Sequence, residues 1–435
     1  MVSKVYLVSL GCPKNQVDAE VLLGMLLQEG FIYVNNPEEA DVIIVNTCAF
    51  IKEAVEESIE TILEMATFKS PHGLLVVSGC LPQRYKGEIE KEMPEVDLWI
   101  GPGDIPRLPA LLKRKSKGAF VGPPEAFLYN HTHPRVLFNN PFVAYVKVSE
   151  GCLHRCSFCT IPSIRGRFRS RKLEDILKEV QVLVNRGVRE IVLVGQDTTA
   201  YGKDLGLKDG LLELLRSLLK VEGRFWVRLL YCYPLRENFP EEMLEMLSTE
   251  GKLAPYLDIP IQHISDKVLR LMNRRTTKSE LLGLLELLRD KYPQIALRTT
   301  VIVGFPGEGE KEFQELLELV KQGYFTYLGA FKFSAEEGTR AAKFGEQVPE
   351  EIKEERWQIL METQREITKY KNTQWIGKEV QVLAESVGPE NTLIGRTPFQ
   401  APEIDGVCLI KRNFPLGEVI HGKVKEVLTY DLVVE

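Results

Sequence analysis

Three cysteines within one short run, Cys152-Leu153-His154-Arg155-Cys156-Ser157-Phe158-Cys159, constrain the fold of this chain more than any other feature. The run follows directly on the apolar stretch Ala144–Val148, so three thiols share one tight loop at the end of a strand. Thiolates at CxxxCxxC spacing can ligate three irons of a [4Fe–4S] cube and leave the fourth iron open. An open iron suits a chelating ligand such as the amino and carboxylate groups of S-adenosylmethionine (SAM). An electron from the cluster then cleaves SAM to an adenosyl radical, which can take hydrogen from an unactivated carbon. A zinc site is the alternative, since zinc prefers C-x2-C pairs and His154 could serve as a fourth ligand.

Three further cysteines have a common context. Cys12, Cys48 and Cys80 each follow an apolar run and a turn: Val8-Ser9-Leu10-Gly11, Val45-Asn46-Thr47 and Val77-Ser78-Gly79. In a parallel sheet such strand ends emerge on one edge, where ligands bind, so the three thiols can converge on a second cluster with an open iron. Three separately buried cysteines acting as small hydrophobes are the plainer alternative. Cys232 and Cys408 lack any such pattern and read as packing.

The chain has 435 residues, too many for one ordinary core. Residues 1–135 alternate the runs Val5–Leu10, Val42–Val45 and Leu74–Val77 with the amphipathic stretches Val17–Glu29 and Glu53–Ala66, an α/β pattern with a parallel sheet. Gly118–Pro141, rich in Pro, Asn and His, reads as a linker. Residues 142–372 hold six β/α units. The strands expected are Ala144–Val148, Glu190–Val194, Phe225–Leu230, Leu257–Ile261, Ala296–Val303 and Tyr324–Phe331, forming a partial (β/α) barrel with its site at the strand carboxyl ends. A long helix over Pro349–Tyr370 closes that region. Residues 373–435 read as a small β-barrel, with strands at Glu379–Ala384, Thr392–Arg396, Gly406–Ile410 and Glu418–Val434.

Charge and hydropathy narrow the partners. No apolar run is long enough to span a bilayer, and Met1–Leu10 reads as a first strand and not a signal peptide, which places the chain in the cytoplasm. Disulfides are then a poor reading for eight cysteines, and metal ligation a better one. The net charge is −6, and from Lys378 to Glu435 six bases face nine acids. An RNA-binding barrel is expected to be basic, whereas an acidic one suits a basic protein partner.

Several residues at strand ends are candidates for cofactor contact. Gln196 and Asp197 close the second barrel strand, and Gly304 opens Gly304-Phe305-Pro306-Gly307-Glu308 after the fifth. Gly304 lets backbone approach a ligand closely, or simply makes a turn into the next helix. Arg165, Arg167, Arg169 and Arg171 alternate just after the cysteine loop. Arg165 and Arg169 could hold the SAM carboxylate or an acidic substrate group, or the series could be a solvated face. His263 reads as structural.

Four segments carry a resemblance that covers essentially the whole chain: Ser9-Leu10-Gly11-Cys12-Pro13-Lys14-Asn15, Gly195-Gln196-Asp197-Thr198-Thr199, Arg228-Leu229-Leu230-Tyr231 and Gln400-Ala401-Pro402-Glu403-Ile404-Asp405-Gly406. The chain resembles the methylthiotransferase family of radical SAM enzymes, and within it the RimO type. The resemblance implies an N-terminal auxiliary-cluster domain, a radical SAM barrel and a C-terminal TRAM barrel. It implies Cys12, Cys48 and Cys80 as ligands of one [4Fe–4S] cluster and Cys152, Cys156 and Cys159 as ligands of the SAM cluster. One SAM is expected to methylate sulfur at the first cluster, and a second to give the radical that activates the target carbon. The implied target is the β-carbon of an aspartate in protein number twelve of the small ribosomal subunit, with an electron donor and a sulfur source as further partners. Members that modify tRNA adenosine look similar over the first two domains, so the substrate choice rests mainly on the C-terminal barrel.

Overall fold

The computed structural model describes residues 3–411 and 414–435, so Met1, Val2 and Arg412, which entered the reading of the N-terminus and the charge count, lie outside the described residues. The first sheet is parallel throughout. Its strands are β1 (Lys4–Ser9), β2 (Ile32–Tyr33), β3 (Val42–Thr47), β4 (Leu74–Gly79), β5 (Leu98–Ile100) and β6 (Gly118–Phe120), in the order β2-β1-β3-β4-β5-β6. Every residue of β3 and β4 is buried, as in a sheet covered on both faces. Helix α1 (Pro13–Gln28) follows β1, with Pro13 at its first position, where the missing N–H costs nothing. Gly118–Phe120, expected within a linker, instead forms the edge strand of this sheet. Its backbone pairs with β5, which outweighs the loop-like composition around it.

The second sheet holds β7 (Val143–Lys147), β10 (Glu190–Val194), β11 (Trp226–Leu229), β12 (Leu253–Asp258), β13 (Ala296–Val303) and β14 (Tyr327–Lys332), all parallel, in the order β14-β13-β12-β11-β10-β7. Strands β8 (Ser149–Glu150) and β9 (Arg169–Ser170) form a small ribbon at the mouth, after β7. The fourth barrel strand begins four residues earlier than the expected Leu257–Ile261. Pro255, which argues against a strand, sits where the β11–β12 register slips, so its missing N–H breaks no ladder bond.

Alternate strand residues part into two cores. Ile191, Leu193, Val227 and Leu229 pack with the outer helices. Val192, Val194, Trp226 and Tyr256 face inward, in a core shared with α1 and with the C-terminal barrel. That barrel is closed in the order β15-β16-β17-β19-β18, from β15 (Glu379–Val387), β16 (Leu393–Arg396), β17 (Cys408–Ile410), β18 (Val419–Leu428) and β19 (Asp431–Val434). It meets the first turns of the larger barrel through buried charge. Arg228 donates to Glu190 at 2.6 Å and to the Pro398 carbonyl at 2.8 Å, Arg396 donates to Glu190 at 2.6 Å, and Tyr256 Oη donates to Asp405 at 2.7 Å. The opposite end of the strands is left to α1 and the cysteine loops.

Candidate active site: two cysteine trios at one domain junction

Cys12 follows β1 at the head of α1, Cys48 follows β3, and Cys80 opens the short helix after β4. These strands are neighbours in register, Ser9 beside Asn46 and Asn46 beside Ser78, so the three loops leave the sheet side by side. Gly11, at φ +86°, makes their approach possible. A Cβ there would lie 2.9 Å from Cys48 Sγ, a separation no side chain tolerates. Beneath the thiols, Asn46 donates to Ser9 Oγ at 3.0 Å and to the Asn15 carbonyl at 2.9 Å, while Asn15 donates to the Leu10 carbonyl at 2.7 Å and the Thr47 carbonyl at 3.2 Å. Buried amides thus tie the loops together with their own hydrogen bonds satisfied. Burial pushes the Cys48 thiol up to about 12, and the Cys80 and Cys12 sulfurs add to the effect. Burial raises Cys80 as well, against the pull of Arg165. Thiols that oppose one another's ionisation in a dry pocket become good ligands only when a metal charge replaces their protons.

The second trio lies on the loop between β8 and the helix Ile161–Arg165. Burial, with Cys156 adding to it, lifts Cys152 to about 11 and Cys159 to about 12. His154 is engaged away from the sulfurs: its Nε2 lies 2.7 Å from Asp197 Oδ2, and its ring stacks on Tyr233 with centroids 3.7 Å apart. With its Nε2 and its ring face both engaged, His154 is poorly placed to be the fourth ligand of a zinc ion.

The two trios adjoin. Thr160, next to Cys159, donates to the Phe50 carbonyl at 3.2 Å, two residues past Cys48. Five residues further, Arg165 enters the N-terminal site, where it pairs with Asp18 and donates to Asn15 Oδ1 at 3.1 Å and Cys80 Sγ at 3.2 Å. Asp18 also pairs with Lys147, which donates to Glu150 at 2.6 Å. Lysine 147 and arginine 165 together hold the Glu150 carboxyl down at about 2 against the effect of burial.

The remaining sequence candidates fall in different places. Gln196 donates to Glu150 at 2.7 Å, and its Oε1 is buried without a partner. Asp197 supports His154 and accepts from Thr199 Oγ1 at 2.5 Å. Arg165 lies at the N-terminal trio, and Arg169 is spent on the Glu125 and Phe127 carbonyls at 2.8 and 3.1 Å. At Gly304, φ +70°, a Cβ would strike Lys353 Cγ at 2.3 Å, and the backbone N–H is taken by Glu308 at 3.0 Å. Packing therefore suffices to require glycine there. His263 is fully buried, accepting from the Ser265 N–H at 3.0 Å, as a structural histidine does. Cys232 and Cys408 are buried in the two cores. Residues at the junction that escaped the sequence reading of the site include Lys14, Asp18, Lys147, Glu150 and Tyr231. Lys14 and Tyr231 stood within the quoted motifs, and that was their one available signal.

Residues 4–101 match the uncharacterized protein family UPF0004, residues 146–320 the radical SAM superfamily and residues 376–435 the TRAM domain. The chain is 46% identical to the ribosomal protein uS12 methylthiotransferase RimO of Geotalea uraniireducens, covering 99% of this chain and 98% of that one. It is 47% identical to the enzyme of the same name from Moorella thermoacetica, over 99% of each chain. Among solved structures, its fold is similar to that of the radical SAM methyltransferase TsrM from Kitasatospora setae, with cobalamin and a [4Fe–4S] cluster bound, at TM-score 0.53 and 17% identity over 76% of this chain and 75% of that one. The cysteine geometry and the full-length relatives agree, and the chain belongs to the RimO family of radical SAM methylthiotransferases.

Proposed function

We propose that this chain attaches a methylthio group to the β-carbon of an aspartate in ribosomal protein uS12, the protein after which its full-length relatives are named. The observation that carries the reading is the junction itself: two trios of buried and half-buried cysteines on adjoining loops, with Arg165 of the barrel reaching Cys80 of the first domain. Cys12, Cys48 and Cys80 would hold one [4Fe–4S] cluster, and Cys152, Cys156 and Cys159 the cluster that takes SAM. When bound, these groups supply an adenosyl radical and an activated sulfur. The protein's own part is to hold and shield. His154 and Tyr233 brace the cysteine loop, Asp197 fixes the imidazole, and α1 closes the strand ends against water. Gln196, with an unpartnered oxygen at a strand end, is the candidate to meet SAM or substrate.

The reaction also needs an electron donor and a sulfur source. No helix among the described residues is long and apolar enough to cross a membrane, and a ribosomal substrate puts the reaction in the cytoplasm. The C-terminal barrel gives weaker support than its sequence count suggested. Glu385, Asp405 and Arg396 are consumed inside the barrel junction. Glu379, Glu390, Glu403, Glu418, Glu426 and Glu435 remain exposed, against Lys378, Lys411, Lys423 and Lys425. Among the described residues that surface has a slight acidic excess and no basic stripe of the kind an RNA-binding barrel carries.

The test is an anaerobic assay of the cluster-reconstituted protein with SAM, reductant and sulfide, offering uS12 and tRNA in parallel. Mass spectrometry should find the methylthio gain on the uS12 aspartate. A gain on a tRNA adenosine instead would overturn the substrate assignment.

A further inference from the structure

Lys14 is buried to 7% exposure at the junction of the two domains, two residues after Cys12. Its Nζ lies 3.3 Å above the centre of the Tyr231 ring and makes no ion pair or hydrogen bond among the described residues. The carboxylates of Glu150 and Asp258 act on it electrostatically, and Arg165 opposes them. Each carboxylate around it already has its own partners. Glu150 accepts from Lys147 at 2.6 Å and Gln196 at 2.7 Å. Asp258 accepts from the Tyr231 N–H at 2.9 Å and from Arg298 at 3.2 Å. Asp18 is held between Lys147 and Arg165. Lys14 is therefore the base that no carboxylate among the described residues claims, and a buried ammonium is costly unless an anion meets it.

Its position is also enforced. Tyr231 adopts φ +61°, a conformation that a bulky residue rarely takes. The backbone is held there from both sides, by Asp258 on its N–H and by the Thr198 N–H on its carbonyl at 3.0 Å. The strained turn sets the ring beneath the amine, at the strand end that faces the cysteine loops. Strain of this kind gathers at ligand sites.

We propose that the Lys14 ammonium recognises the side-chain carboxylate of the residue to be modified. The inference rests on the aspartate reading given above and names the group that selects it. A carboxylate brought in by the substrate supplies an anion, and the β-carbon of that residue is bonded directly to the carboxyl carbon so held. The grip thus fixes which carbon is presented, between the two trios. An adenosine base offers no such anion.

The experiment measures binding of two fluorescent peptides carrying the uS12 target sequence, one with the aspartate and one with asparagine in its place. Anisotropy titrations use cluster-loaded wild type, Lys14→Met and Lys14→Arg, with iron per chain and methylthiolation of both peptides measured alongside. Wild type should bind the aspartate peptide roughly 10- to 100-fold more tightly than the asparagine peptide, as a charge-assisted bond does. Lys14→Met should bind the two alike, and Lys14→Arg should restore part of the preference. The preference is a ratio within each variant, so a change in iron content weighs on both peptides equally. An undiminished preference in Lys14→Met overturns the proposal and leaves the aspartate reading standing; with lower iron in that variant, Lys14 is a cluster-supporting residue instead. No preference in a wild type that modifies the aspartate peptide overturns it too. A wild type that ignores both peptides and modifies tRNA overturns both readings.

Discussion

Replacing Arg165 by methionine removes the barrel side chain that reaches Cys80 of the N-terminal trio. The guanidinium is 3% exposed, pairs with Asp18, and donates to Asn15 Oδ1 at 3.1 Å and Cys80 Sγ at 3.2 Å. Deleting one partner of a buried pair costs about 3–5 kcal/mol, because the other charge stays behind unpaired. Here Asp18 keeps Lys147, so the loss should fall near the low end, about 3 kcal/mol. Arg165→Lys should recover only part of it, since one ammonium cannot span the acceptors that the planar fork bridges. Adding Asp18→Asn removes the stranded charge, and the two changes should couple by about 1–3 kcal/mol. Hydrogen exchange of the α1 amides under native conditions reads the local opening energy, and iron per chain reads the site. An Arg165→Met protein with α1 protection within about 0.5 kcal/mol of wild type and full iron would refute the bridging role.

Cys156→Ala should abolish SAM cleavage, measured as 5′-deoxyadenosine, while iron stays at the N-terminal trio; intact cleavage would remove Cys156 from the ligand set. Burial raises the Asp405 carboxyl from 3.8 to about 6, with Arg298 opposing the rise. A carboxyl raised on folding stabilises fully below its unfolded value, and that contribution is lost as pH rises through the folded one. Denaturation between pH 4 and 7 should therefore show wild type losing up to about 3 kcal/mol relative to Asp405→Asn, with a parallel pair of curves excluding it.

The sequence made the sheets legible because parallel strands buried on both faces write themselves as unbroken Val/Ile/Leu runs, as β3 and β4 do. It made the cysteines legible because Cys12, Cys48 and Cys80 share one local context, a strand end and a turn. Short edge strands such as β2 and β6 carry too few residues to show a period, and Pro255 concealed the start of β12. The helix Glu241–Thr249 likewise escaped the reading. Arg165 could not be placed from its own neighbours, since its partners Asp18 and Cys80 lie 147 and 85 positions away and meet it only when the domains dock. The barrel's charge count overstated the surface excess for a related reason: composition does not tell Asp405, sealed under Tyr256, from Glu390 on the surface.

The most direct test of the paired-trio site counts iron. Reconstituted wild type should bind about eight irons per chain, as two [4Fe–4S] clusters require. Triple alanine variants of Cys12/Cys48/Cys80 and of Cys152/Cys156/Cys159 should each keep about four, with Mössbauer spectra of a [4Fe–4S] cluster in both. Loss of all iron in either variant, or about four irons in wild type, would contradict two independent clusters at this junction.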